Sequence, residues 1–366
     1  MNRNKRHIQF QPESDEFYSE LRVEVAKYFE QNGKTTYGNK AMYFKILLFF
    51  IVFFLLYFSI YFFGSNPINI AIIYSLIGVW GVFLGLNVGH DAAHNALFKT
   101  RKYNRWLLHV FDLIGTNSFN WKNRHVGAHH LYPNIMDLDS DIQQSRIVKI
   151  FPNDEHRKYH RLQFIYMPIV YMIYIFRWVV YRDFKDIVSS RLGGFDNTNY
   201  PTKEIVKMIL FKAAYFFAMI GLPLLTLDLS LLLLLGSYGL LTVFASLTIT
   251  MILLSTHVGE NANFPQPNSQ GMMPHSWSHH MMITAGDFAT SSFLITHLFG
   301  GFNHHVIHHL FQHICHIHYP DLTRILIKVS TRHNIQYRSE KYLLIAVLSH
   351  FKLLRNNGKS TPLNRL

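Results

Sequence analysis

One cysteine, Cys315, stands in a chain of 366 residues. Without a second thiol there is no internal disulfide, no cysteine-bound iron–sulfur cluster and no four-cysteine zinc site. A lone cysteine of this kind reads as a small buried apolar residue. Charge is scarce as well: 16% of the residues are Asp, Glu, Lys or Arg, against 49% hydrophobic. That balance points to a membrane protein. The net charge of +13 comes with no groove-binding motif and no continuous basic helix, so no nucleic-acid partner is implied. No cleavable signal peptide is visible either, because about forty polar residues precede the first apolar run.

Four apolar runs, near residues 43–63, 68–89, 207–227 and 229–254, reach the roughly 20 residues that cross a bilayer. Gly64-Ser65-Asn66-Pro67 makes a tight turn between the first two, and only the region of Asp228 separates the last two, so the spans form two hairpins. Lys212 sits near the start of the third run, where it can snorkel to the interface. Phe164–Tyr181 carries Pro168 and Arg177 and is placed in the interface, as is the shorter run Trp106–Phe119. Neither proposed outer turn holds Lys or Arg, whereas the loops on the other side are rich in both. Excess basic residues mark the cytoplasmic face, so both termini are expected there. Before the spans, Phe17, Leu21, Val25 and Tyr28 fall on one face of a helix. That helix lies on the membrane or packs on the cap. The expected division is a cytoplasmic N-terminal segment with this helix at 1–40, a membrane domain at 41–325 and a basic cytoplasmic C-terminal tail at 326–366.

What the chain has in excess is histidine, in three tight groups: His90 and His94; His125, His129 and His130; His305, His308 and His309. Each group lies just beyond an apolar stretch. Residues three and four apart share a helix face, so each group aims its imidazoles one way. Imidazole suits iron, copper, zinc and nickel. Four ligands saturate a zinc ion, so eight imply two metal ions or two sites.

The pattern HxxxH, HxxxHH, HxxHH on a four-span scaffold resembles the integral-membrane fatty acid desaturases. The flanks match too: Asn87-Val88-Gly89-His90-Asp91-Ala92-Ala93-His94-Asn95, Trp121-Lys122-Asn123-Arg124-His125, and Gly300-Gly301-Phe302-Asn303-His304-His305. The resemblance covers roughly residues 15–325 and implies an all-α membrane fold, four helices in two hairpins, with a cytoplasmic helical cap holding the boxes. It implies two Fe2+ ions, O2 as co-substrate and a fatty acyl chain carried on CoA, carrier protein or lipid. The eight box histidines become the catalytic metal ligands. A ninth is expected near the end of the fourth span, where His257 stands and His279 is the rival. A related group of desaturases has glutamine at the place of His305; histidine stands here, so the chain is not assigned to that group, although its flanks are similar.

Iron activated by dioxygen fits the chemistry, because unactivated C–H bonds are beyond ordinary acid–base groups. Asp91, Asp137, Asp139, Asp141, Glu260 and Asp287 are candidates to hold the outer N–H of ligating imidazoles. His304, His313, His316 and His318 read as surplus, His109 as core or interface, and His7, His156, His160, His333 and His350 as solvated. No His-Pro-Gly-Gly haem motif occurs, so electrons are expected from a separate donor of ferredoxin or cytochrome b5 type. The expected setting is a multi-pass protein of a bacterial inner membrane. A lipid hydroxylase would use nearly the same site. A metal or haem transporter would need polar residues within the spans, which are nearly free of them.

Overall fold

The computed structural model describes residues 8–12, 16–142, 145–192 and 195–359. Helix α1, Phe17–Gln31, lies ahead of the first span and buries Phe17, Leu21, Val25 and Phe29. They pack with Leu322, Leu326 and Val329 in one apolar cluster. Each such side chain contributes about 1.5–3 kcal/mol. Tyr28 is not part of that buried row, since its hydroxyl turns out to donate to Asp321 at 2.8 Å. The helix thus has a tertiary partner.

Four helices are long and apolar enough to cross a membrane: α2 (Lys40–Phe63), α3 (Pro67–Ala93), α7 (Thr202–Thr226) and α8 (Leu231–His257). The starts of α2, α3 and α8 are set by side-chain caps. Asn39 accepts from the Met42 amide at 3.0 Å, Asn66 from Ile68 at 2.8 Å with Pro67 following, and Ser230 from Leu233 at 3.2 Å. The outer faces of α2 and α7 leave Phe44, Leu55, Phe62, Leu210 and Leu225 exposed, as a lipid-facing surface requires. α3 and α8 run past the expected ends and carry His90 and His257 on the helices themselves.

Between the hairpins, residues 106–119 fall in short helices, each of eight residues or fewer. α4, Ser118–Arg124, leads into the second histidine box. α5 (Lys158–Met172) and α6 (Tyr174–Val188) meet at a 64° bend, the form of a broken span or a re-entrant segment. The cap then adds α9 (Trp277–Thr284), α10 (His305–Leu310), α11 (Tyr319–Arg332) and α12 (Leu343–Asn357). α12 lies within the segment read as a basic tail, and it buries Ala346, His350, Leu353 and Leu354. The described strands are short pairs: Gln9–Gln11 runs parallel to Met272–Ser276, Arg191–Leu192 antiparallel to Phe195–Asp196, and Asp287–Phe288 parallel to Ser339–Glu340.

One basic residue departs from its expected place. Lys212 is buried and does not snorkel; its ammonium meets Asp183 at 2.8 Å. It also donates to the carbonyls of Gly115 and Val179. A carboxylate and two carbonyls inside the fold hold it better than a reach to the interface.

Candidate metal centre

Three local structures build the centre. α3 loosens into a π-helical turn at Gly85–Gly89 before presenting His90. Glycine is required at 89, because a Cβ there would come within 2.9 Å of the Phe111 ring. The second box is itself a π turn, His125–His129, closed by the His130 amide on the His125 carbonyl at 3.0 Å. This wider turn, unlike the α-helical face assumed from spacing, aims His125 and His130 at one group and His129 at the other. Arg124 anchors it through a buried pair with Asp186 of α6. The third box is α10, whose first turn is fixed by Asp287 accepting from the Val306 amide at 2.8 Å.

The nine histidines come together in two adjacent groups. His90, His94, His125, His130 and His308 form one, and His129, His257, His305 and His309 the other; within each, the ligand atoms lie within 4.8 Å of one another. All nine are buried. In the first group the Nε2 of His125 sits 3.2 Å from that of His90 and 3.1 Å from that of His130. In the second, the Nε2 of His257 lies 2.8 Å from that of His305 and 3.0 Å from that of His309. The groups touch where His130 stacks on His309, centroids 4.4 Å apart. His279 joins neither; it stacks on His275 at 4.7 Å.

The outer nitrogens decide which lone pairs face inward. His125 Nδ1–H donates to Asp141 at 3.1 Å and His129 Nδ1–H to Asp139 at 3.0 Å. His257 Nδ1–H donates to the Thr284 carbonyl at 3.0 Å. The Nε2 atoms of these rings are then bare, and they point at other ring nitrogens. Burial holds His94, His130, His305, His308 and His309 well below the usual imidazole range and pushes His125 down to about 4. His129 differs: burial opposes its charge, but Asp139 and Asp141 outweigh that and raise it. Both ring nitrogens of buried His94, and the Nδ1 of His305 and His309, have no hydrogen-bond partner. So many ring nitrogens brought this close together, several of them without an outer partner, fit metal ions, and these clusters could hold them.

Of the six candidate acids, Asp139 and Asp141 hold ring N–H groups directly. Asp91 binds His316 at 2.8 Å and lies 3.5 Å from His90 Nδ1. Asp287 fixes the third box, and burial pushes its carboxyl up to about 7. Glu260 instead faces Lys352 at 3.6 Å. Asp137 adopts a left-handed φ of 67° in the turn after the second box. Two histidines read as solvated are buried: His160, and His350, whose Nδ1–H donates to Val258 at 2.9 Å. His7 lies outside the described residues. His280, which the sequence did not single out, is buried and bonded to the Pro133 carbonyl at 2.8 Å. Asp91, Cys315 and His316 form a third cluster. There Lys45 places its ammonium 3.0 Å from His316 Nε2, so a cation already serves it.

Four membrane-length helices capped by a buried histidine cage define a membrane protein equipped to hold metal ions. The fatty acid desaturase family model matches residues 65–341, and the chain belongs to that family. It is 29% identical over 347 residues to the sn-1 linoleoyl-lipid 6-desaturase of Synechocystis sp., across 93% of this chain and 95% of that protein. The protein of the same name from Arthrospira platensis is 28% identical, across 93% and 92%. The acyl-lipid (8-3)-desaturase of Physcomitrium patens is 26% identical, across 94% of this chain and 72% of that protein. The chain is thus an oxidoreductase of lipid metabolism, in a family that works on acyl chains with a redox partner.

Proposed function

We propose that the chain is an O2-dependent di-iron desaturase of lipid-linked acyl chains. The observation that carries it is the sorting of the nine buried imidazoles into two adjacent groups. His90, His94, His125, His130 and His308 would hold one ion, and His129, His257, His305 and His309 the other. When bound, the irons supply the oxidising power that no side chain has. The chain's own residues do the rest. Asp139, Asp141 and the Thr284 carbonyl fix which ring nitrogen faces the metal. Trp121, stacked on His125 at 4.5 Å, packs the second box from behind. A small apolar crevice of about 40 Å³ between the spans, lined by Phe53, Ile77, Val82, Ile114, Tyr215 and Leu241, offers an apolar seat for the terminal methyl of the acyl chain.

In the overall reaction two C–H bonds break and one C=C bond forms. Dioxygen becomes two waters, taking two electrons from the chain and two from the donor, with two protons from solvent. The lipid carrier is favoured over CoA by the names of the relatives, which are lipid-linked desaturases. The outer turns, 64–67 and 227–230, lack Lys and Arg, which favours both termini and the cage on the cytoplasmic side. Residues 41–325 are the catalytic unit, and the described flanking helices α1 and α12 pack on the cap around it.

The test is expression in a host of known lipid content, followed by mass spectrometry of its acyl chains. New double bonds, each a loss of two hydrogens, are expected. Gain of one oxygen in place of that loss would make the protein a hydroxylase.

A further inference from the structure

Residues 41–89, which make the first hairpin, hold a single charged side chain, Lys45, in the second turn of α2. An ionisable residue within a span is rare and marks a site with a partner. We propose that Lys45 is a positioning residue for the first metal group, acting through His316 and Asp91 on the ligand His90. The inference rests on the di-iron reading.

A lysine near a helix end can reach for the interface. Lys45 does not: its neighbours Phe44 and Leu48 are exposed, while its own ammonium meets the Nε2 of buried His316 at 3.0 Å. An ammonium only donates, so that nitrogen accepts and the proton of His316 sits on Nδ1. Nδ1–H and the His316 amide then both donate to Asp91 Oδ2, at 2.8 and 3.1 Å. With Oδ2 engaged twice, Oδ1 is left for His90. The Nδ1 of that ring lies 3.5 Å from it and has no hydrogen-bond partner among the described residues. A ring that gives its Nε2 to a metal carries its proton on Nδ1, and a carboxylate facing that proton fixes the tautomer and strengthens the ligand.

Removing the ammonium frees His316 to carry its proton on Nε2. A bare Nδ1 would then face the Asp91 oxygen at 2.8 Å, lone pair against carboxylate, and one of the two side chains must turn. Either movement takes Oδ1 away from His90. Asp91 is buried as well, and the ammonium offsets its charge. The second group has outer partners of its own, Asp139 and the Thr284 carbonyl. The influence of Lys45 is therefore confined to one metal.

The test is an anaerobic titration of metal-free, full-length protein in detergent with Fe2+, counting the ions bound. The wild type should take two. Lys45→Met should keep one ion at wild-type affinity and bind the other about ten- to a hundred-fold more weakly. Lys45→Arg, which keeps a donor and the charge, should take two. Because Lys45 acts through His316, Lys45→Met should change little more in a His316→Ala background. Four results would each overturn the role: full affinity for both ions in Lys45→Met, weakening of both together, an Arg variant no better than the Met variant, or losses that add in the double variant. A wild type that binds fewer than two ions would overturn the di-iron reading, and the role of Lys45 with it.

Discussion

The Nδ1–H of His129 points at the Oδ2 of Asp139 across 3.0 Å, with both side chains buried. The same carboxylate accepts the amides of Asn134, Asp141 and Ile142. One side chain therefore orients an imidazole of the second box and shapes the loop that follows it.

Asp139→Asn should lower metal affinity or activity about ten- to a hundred-fold, the usual cost of losing a partner behind a metal-binding histidine. Iron content by elemental analysis and product yield measure the two arms. Wild-type values for both would remove Asp139 from the positioning role.

His257 and His279 are separated by position. His257→Ala should abolish desaturation and lower bound iron while the protein stays folded in the membrane. His279→Ala should keep both, because that ring stacks on His275 away from either group. The reverse pattern would transfer the ninth place to His279.

His316 looked unanchored from the sequence. Its amide and its Nδ1 both reach Asp91, at 3.1 and 2.8 Å, and its Nε2 meets Lys45 at 3.0 Å. His316→Ala leaves a buried carboxylate next to His90 short of its partner, which costs about 1–3 kcal/mol or more. A lower melting temperature is expected, with a larger loss of activity than His313→Ala causes. Equal behaviour of the two variants would count against the anchor.

The buried pair Lys212–Asp183 gives a second stability test. Asp183→Ala should destabilise by about 3–5 kcal/mol, since it strands an ammonium inside the fold. Replacing both, with Lys212→Met and Asp183→Leu, should recover much of that loss. Denaturation in detergent would show it, and a double variant no better than Asp183→Ala would be the contrary result.

Acid should weaken the fold even where metal plays no part. Burial pushes His280, His304 and His350 down to about 4. Between pH 6.5 and 4 the unfolded chain binds protons at these positions that the folded chain does not. Stability from this source is therefore complete above about pH 6.5 and falls as pH drops toward 4. Melting curves of metal-free protein across that range should shift steadily downward on acidification, and a flat profile would contradict the sign.

The spans, the hairpins and the histidine groups were legible in the sequence because each is a local pattern. An apolar run, an Asn-Pro cap or an HxxxHH spacing needs nothing from elsewhere in the chain. What local pattern could not give was the sorting of the ligands. His129 and His130 are neighbours, yet the π turn sends them to different groups. That turn packs against Trp121, which is itself stacked on Phe111, and is anchored by the Arg124–Asp186 pair. Nor could spacing tell anchored histidines from solvated ones: His160, His316 and His350 are buried by partners 14 to 225 residues away. Composition and periodicity determined that this chain carries membrane spans and a supply of imidazoles. Only the tertiary structure decided which lone pairs face one another, because that requires helix ends far apart in sequence to arrive at the same few ångströms.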